Sequence, residues 1–579
     1  MRKNGKSIKT SRKLRRRLGL ILVSAAALLV SAAGLIHAGQ SQSGKLRFEL
    51  SFPESVRKEA ADGRLFVILS TGNASDLRRQ VTAYDSTPFF GQNIDGMRPG
   101  QMGVVDENAY GYPIERLGQL PAGDYYVQGM LNVYTTFHRA DGHTVKMHMD
   151  QWEGQHFQTS PGNLYSEVQK VHIDPAVGGV VKIELTKVIP PIKVPDDTEY
   201  VKHIKFQSPL LSKFWGQPIF IGATVLLPKD YDRNKGVYYP VNYEQGHFSL
   251  GNPGGFSERS ASQSGATGAT SQAQQRANRR AEFSEAWLSD KYPRMMFVTF
   301  QHPTPYYDDS YAVDSPNSGP YGQAITQELI PYIESHFRAI PKPYARILSG
   351  GSTGGWESLA LQILYPDYFG STYSYCPDPV DFHYFQMVNI YDWTNAWERK
   401  EKWISEPIPG ERSPDGMIIS TMKQQLSYER ALGDHGRSGE QWDAWESTYG
   451  PLGEDGFFKP IFDPQTGNID KNVAAYYKDH WDLDQYLKTH WNEIGHRLQG
   501  KLHIWVGDAD TYFLNDAVHQ LEEFLNTTSD PPYGGSIVYG PGKPHCWTGP
   551  LSLADQMKAM AQDTAARAPR DADTSWWRF

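Results

Sequence analysis

Apolar and polar side chains alternate in short runs from residue 45 to about residue 188. The pattern is clearest in Leu46-Arg47-Phe48-Glu49-Leu50 and in 181–185, and 65–69 and 125–133 are further short strand-like runs in the same series. A period of two is that of a strand with one face buried. Turn formers such as Pro121-Ala122-Gly123-Asp124 separate the runs. No helical period of useful length interrupts them, so the pattern predicts an all-β sandwich of immunoglobulin-like type over 45–188. Its Asp and His residues are scattered, which fits a structural or positioning module better than a dedicated ligand-binding domain.

The pattern changes after Ile189-Pro190-Pro191-Ile192-Lys193-Val194-Pro195, a stiff stretch that opens an expected linker at 189–214. Apolar strand-like runs at 219–227, 239–243 and 295–300 then alternate with helical spacing at 324–337. Strands alternating with helices predict a doubly wound, mainly parallel α/β sheet over 215–570. Two insertions break it. Residues 251–281 are rich in Gly, Ser, Ala, Thr and Gln, too polar to bury, and read as a loop near the mouth of the sheet, either a floppy insertion or a lid. Residues 377–480 carry Trp393, Trp397, Trp403, Trp442 and Trp445 among many charges and read as a cap over the carboxyl edge of the sheet. Those rings serve either the cap's own core or stacking on sugars or aromatic acyl groups.

The amino terminus adds a location. Nine basic side chains lie in residues 1–17, and 18–38 is apolar apart from small residues and His37, so 1–38 reads as a signal peptide or a membrane anchor. The mature chain is then exported, to the periplasm or the exterior, and touches a membrane only through this segment if it is not cut. Losing the nine cations takes the net charge from −8 to about −17, which argues against nucleic acid or an anionic surface as partner. The two cysteines, Cys376 and Cys546, are either unrelated buried thiols or, as expected for an exported chain with only two, a disulfide.

Candidate chemistry centres on Ile347-Leu348-Ser349-Gly350-Gly351-Ser352-Thr353-Gly354-Gly355. Gly350, Ser352 and Gly354 satisfy G-x-S-x-G between a strand pattern and a helix pattern, the context of a nucleophile elbow. A serine needs a base, and the base needs an orienting acid. Downstream, an apolar strand runs into Gly507-Asp508-Ala509-Asp510, and a helix and a short strand lead to Pro544-His545-Cys546. Acid, then histidine, is the chain order such a site requires, which nominates His545 and Asp510, with Asp508 as the alternative acid. The backbone N–H groups of Thr353 and His247 are the expected oxyanion donors. Phe248, Tyr306, Tyr307 and Trp356 are expected to line the substrate pocket. Asp308-Asp309 fits no calcium loop, and no metal is expected there.

Tyr238-Tyr239-Pro240-Val241, Ser352-Thr353-Gly354-Gly355-Trp356, Tyr365-Pro366-Asp367-Tyr368-Phe369-Gly370 and the Gly542–Trp547 loop resemble the esterase group of α/β-hydrolases, which includes esterase D, enterochelin esterase, feruloyl esterases and mycolyltransferases. The resemblance covers about residues 215–565. It implies a doubly wound sheet, no cofactor, and Ser352, Asp510 and His545 as a triad. Gln245 stands where many relatives have His, and the two insertions are absent from the smaller members; these departures bear on substrate rather than chemistry. The expectation is therefore an exported serine esterase acting on a small-molecule or carbohydrate-linked ester. The alternatives are an acyltransferase or peptidase using the same groups, and a surface-binding protein with an inert hydrolase domain.

Overall fold

The computed structural model describes residues 45–72, 74–82, 85–258 and 271–577. The expected leader at 1–38 and residues 259–270 of the polar insertion lie outside them.

The amino-terminal region is β-rich. A three-stranded sheet places Arg47–Ser51 between Val180–Glu184, parallel to it, and Gly103–Val105, antiparallel. A larger sheet of eight strands is built around Ala61–Ser70 and the sixteen-residue Gly123–His138. Alternation explains the shared core: Phe48 and Leu50 point inward from the small sheet and meet Leu65, Val67, Val127 and Leu131. The run Leu65-Phe66-Val67-Ile68-Leu69 is apolar at every position, and both of its faces are buried. Leu65, Val67 and Leu69 enter the core between the sheets. Phe66 and Ile68 enter a second core with Tyr428, Ala431 and Leu432 from the other half of the chain.

That other half is organised on one eight-stranded sheet: β1 (Val201–Gln207), β2 (Phe220–Leu226), β3 (Val241–Gln245), β4 (Met296–Gln301), β5 (Arg346–Gly351), β6 (Ser371–Tyr375), β7 (Leu502–Gly507) and β8 (Ser536–Gly540). The spatial order is 1-2-4-3-5-6-7-8, with β1 and β2 antiparallel to their neighbours and β4 through β8 parallel. β1 corrects the expected linker. His203 and Lys205 alternate with Ile204 and Phe206 in a strand pattern that the proline-rich stretch before it obscured.

The helices that matter for the site are α1 (Ser271–Trp287), α2 (Thr353–Leu364), α3 (Met422–Leu432), α4 (Gln441–Tyr449), α5 (Leu483–Leu498), α6 (Leu514–Leu525) and α7 (Leu553–Arg567). α1 is a second correction, because its first half falls in the insertion expected to be a loop. Ala, Gln, Arg and Glu are good helix formers. Phe283 and Trp287 then fix its carboxyl half in the core, 1% and 2% exposed. Between β6 and β7, residues 377–480 hold two short hairpins, α3 and α4. Trp442 and Trp445 are buried there, whereas Trp403 is 86% exposed.

Candidate active site

β5 and α2 meet in a turn that places Ser352 at φ 58°, ψ −122°, a region that costs a residue with a side chain about 1–3 kcal/mol. The glycines beside it are required sterically. A Cβ on Gly354 would lie 2.1 Å from the Gln245 carbonyl oxygen, and one on Gly350 would lie 2.3 Å from that of Gly354. The chain leaving β3 therefore crosses directly over the start of α2.

Three elements deliver three side chains to one point. Ser352 Oγ is 2.8 Å from His545 Nε2, and His545 Nδ1 is 2.9 Å from Asp510 Oδ2. Asp510 is fully buried at the end of β7 and also accepts from the backbone N–H groups of Tyr512 and Leu514. Asp508, the alternative acid, faces the other way and accepts from Gly542 N–H at 2.5 Å, holding the loop that carries His545. Because a carboxylate can only accept, Nδ1 carries the proton and Nε2 is left to accept from the serine. Burial alone would lower the His545 imidazole, but the hydrogen bonds to Asp510 and Cys546 push it up to about 10. Arg412, from the hairpin before α3, donates to the Asp510 carbonyl and to Asn515, and clamps the acid loop from outside. Tyr512 meets the imidazole edge-on at 4.8 Å between ring centroids.

Thr353 opens α2, so its N–H is one of the helix's unpaired amino-terminal donors. His247 follows Gly246, whose φ of 149° turns the chain after β3 across that same helix start. The His247 imidazole lies 3.1 Å from Asp308 Oδ1 and 3.4 Å from Asp309 Oδ2, with Tyr307 Oη at 3.3 Å. Burial would lower its pKa, but these two carboxylates outweigh that and hold it well above the usual histidine range. Fully buried Glu357 interacts with Asp309, and burial followed by that carboxylate pushes its own carboxyl well up.

A cavity of about 490 Å³ opens over Ser352. Its walls bring His247, Tyr307 and His545 together with Glu411, Tyr428, Gln441, Trp442, Trp445 and Tyr512, and the β-rich region contributes Thr82. One wall is Asp378, which sequence reasoning missed. Its Oδ2 accepts from Tyr311 Oη (2.5 Å), Thr353 Oγ1 (3.1 Å) and Trp445 Nε1 (3.3 Å), and its Oδ1 lies 3.3 Å from Ser352 Oγ, whose one proton points to His545 at the shorter distance. Burial raises its carboxyl, against the opposing pull of the Tyr311 hydrogen bond. The signal was present in Cys376-Pro377-Asp378-Pro379, an acid flanked by prolines just past the end of β6.

Residues 220–422 match the family model described as Putative esterase. This segment is of the esterase family. The match runs from β2 to the first residue of α3, includes Ser352, and stops short of Asp510 and His545. No curated protein matches the chain. Among solved structures, a ferulic acid esterase is 16% identical over 63% of this chain and 99% of its own, with a TM-score of 0.34. An S-formylglutathione hydrolase from Agrobacterium tumefaciens is 15% identical over 64% and 99%, with a TM-score of 0.31. A ferulic acid esterase from Anaeromyces mucronatus, in complex with ferulic acid, is 13% identical over 63% and 91%, with a TM-score of 0.27. Likenesses of this size add nothing to what the site's own geometry says.

Within the esterase segment, several expected pocket residues lie elsewhere. Tyr307 lines the cavity, but Tyr306 is core, packed on Trp215 and Phe458. Trp356 is buried one turn into α2 against Tyr311 and Tyr449, because its position on the helix points it inward. Phe248 turns away from the cavity to meet Trp152 of the β-rich region at 5.1 Å.

The expected disulfide is also corrected, since Cys376 and Cys546 are both free thiols. Cys376 is buried just past β6 with its N–H on the Trp505 carbonyl, while Cys546 sits on the exposed side of its loop. Three groups among the described residues have the spacing of metal ligands: Cys376, His545 and Cys546; His247, Asp308 and Asp309; and Asp381, Asp482 and Asp484. None of the described helices is long and apolar enough to cross a membrane.

Proposed function

We propose that the protein is an exported serine esterase that cleaves a carboxylic ester through an acyl-enzyme. The carrying observation is the unbroken chain of contacts from Ser352 Oγ through His545 to Asp510. Ser352 attacks the ester carbonyl as Nε2 takes its proton, and Asp510 holds the Nδ1–H tautomer and stabilises the imidazolium without taking the proton. The negative oxygen of the tetrahedral intermediate is received by the N–H groups of Thr353 and His247, on the positive end of α2. His545 then returns its proton to the leaving alcohol, and water, activated at the same nitrogen, releases the acid.

Residues 377–480 act as a cap, since Trp442, Trp445 and Gln441 of α4 and Tyr428 of α3 all face the cavity. The β-rich region, an immunoglobulin-like sandwich in this reading, serves as a positioning module whose Thr82 reaches the same cavity. A chamber walled by aromatic rings, amides and carboxyl groups suits a small-molecule or carbohydrate-linked ester bearing hydroxyl groups.

Activity on p-nitrophenyl esters of increasing chain length and on acylated sugars tests this, with Ser352→Ala as control. Hydrolysis by the wild type and a fall in kcat of about 10⁴ or more in the variant support it. Turnover unchanged in the variant overturns it. Product that goes mainly to an added alcohol rather than to water reassigns the site to acyl transfer.

A further inference from the structure

The two thiols stand beside the base of the proposed reaction and form no bond in it. Cys376 Sγ, Cys546 Sγ and a ring nitrogen of His545 all lie within 4.8 Å of one another. Both cysteines hold left-handed backbone conformations, φ 38° and 59°, which residues with side chains adopt at a cost. Cys376 comes from the end of β6 and Cys546 from the loop after β8, so the cluster joins two separate loops.

The donor set is soft: two thiols and an imidazole, with no carboxylate among the three. Such donors select zinc, cadmium or copper(I) over calcium or magnesium. In a tetrahedral zinc site with bonds of about 2.3 Å to sulfur and 2.0 Å to nitrogen, ligand atoms stand roughly 3.5–3.8 Å apart. Since the three atoms lie within 4.8 Å of one another, closing to those separations takes a contraction of no more than about 1.3 Å. Cys546 lines both the active-site cavity and a second cavity of about 460 Å³ behind α1 and α7, so an ion has a route in. The outer arrangement is also in place. A histidine that binds zinc commonly donates its other ring N–H to a carboxylate, and His545 already gives Nδ1–H to Asp510.

We propose that Cys376, Cys546 and His545 form a site for a thiophilic cation such as Zn²⁺, and that its occupation switches the enzyme off. Binding releases the thiol protons to solvent and takes the Nε2 lone pair of His545. That is the lone pair which otherwise accepts the Ser352 proton, so metal and catalysis exclude each other. Inhibition rests on the esterase reading; binding does not.

The test titrates the full, reduced chain with Co²⁺ and Zn²⁺ and follows the thiolate-to-cobalt absorption band, which needs no turnover. One equivalent of Co²⁺ giving that band, its displacement by Zn²⁺, loss of at least about tenfold in affinity in Cys546→Ser and in Cys376→Ser, and loss of ester hydrolysis reversed by a chelator support the proposal. Absence of the band in the reduced wild type overturns it. So does a band, or zinc inhibition, that persists unchanged in Cys546→Ser, an exposed position where a folding defect is not expected. Thiol titration that finds no free sulfhydryl in the untreated protein also overturns it, since the two sulfurs would then be bonded to each other.

Discussion

At Asp510 and Asp508 two carboxylates of the same type, two residues apart, have taken different work because of the direction each faces. Asp510 is closed off from water and bonded to the imidazole, whereas Asp508 braces the turn at Gly542. Asp510→Asn should keep the fold and lower kcat by about 10⁴, because the amide stabilises the wrong tautomer of His545. Asp508→Asn should cost far less, and kinetics on the two variants side by side check this. The His545 imidazole itself is held high. With the imidazole pushed up to about 10, the neutral form needed to accept the Ser352 proton grows as pH rises, so kcat/KM should climb through the alkaline range. The Cys546 sulfur contributes to that rise. Cys546→Ser should therefore move the rising limb towards lower pH, and a pH–rate profile that does not move would remove Cys546 from the account of the base.

The elements that form the site are held apart by almost nothing. Gly354 touches the carbonyl that ends β3, so Gly354→Ala must push the Gln245–Gly246 turn away from α2. We expect a loss of about 1–3 kcal/mol in stability, and a fall in kcat larger than any change in KM, measurable by thermal melts and steady-state kinetics. This junction was the most legible part of the sequence, because a sharp strand-to-helix turn leaves few choices of residue. The chain order of Asp510 and His545 was legible for the same reason, as each follows a short apolar strand. Asp378 left only the trace of an acid between two prolines, and Arg412 left none. Their roles depend on contacts with Ser352, Thr353, Trp445 and the Asp510 loop, residues distant in the chain, and nothing local in the sequence records that packing. Trp356 and Tyr306 misled because aromatic residues next to a catalytic motif serve core and pocket alike, and only the helix or loop direction decides between them.

Across the whole molecule, the β-rich region is joined to the rest by a common core rather than tethered to it. Phe66, Ile68 and Phe89 pack with Tyr428, Ala431 and Leu432 of α3, and Phe89 meets the Tyr428 ring edge-on at 5.9 Å. Arg64 adds hydrogen bonds to the Ala431 carbonyl across the same boundary. The unbroken apolar run 65–69 recorded this in the sequence, since a strand exposed on one face would have alternated. Phe89→Ala should cost about 3–5 kcal/mol. It should move one thermal transition for the entire chain and weaken activity with it, because α3 carries Tyr428 into the cavity. Two separate transitions, only one of them shifted, would show instead that the halves unfold independently.

Reaction with a fluorophosphonate followed by peptide mapping addresses Ser352 and its base together. A single adduct on Ser352 in the wild type, with labelling slowed by orders of magnitude in His545→Ala and absent in Ser352→Ala, is the expected result. No adduct on a folded wild-type chain, or one that forms at the same rate without His545, would contradict it.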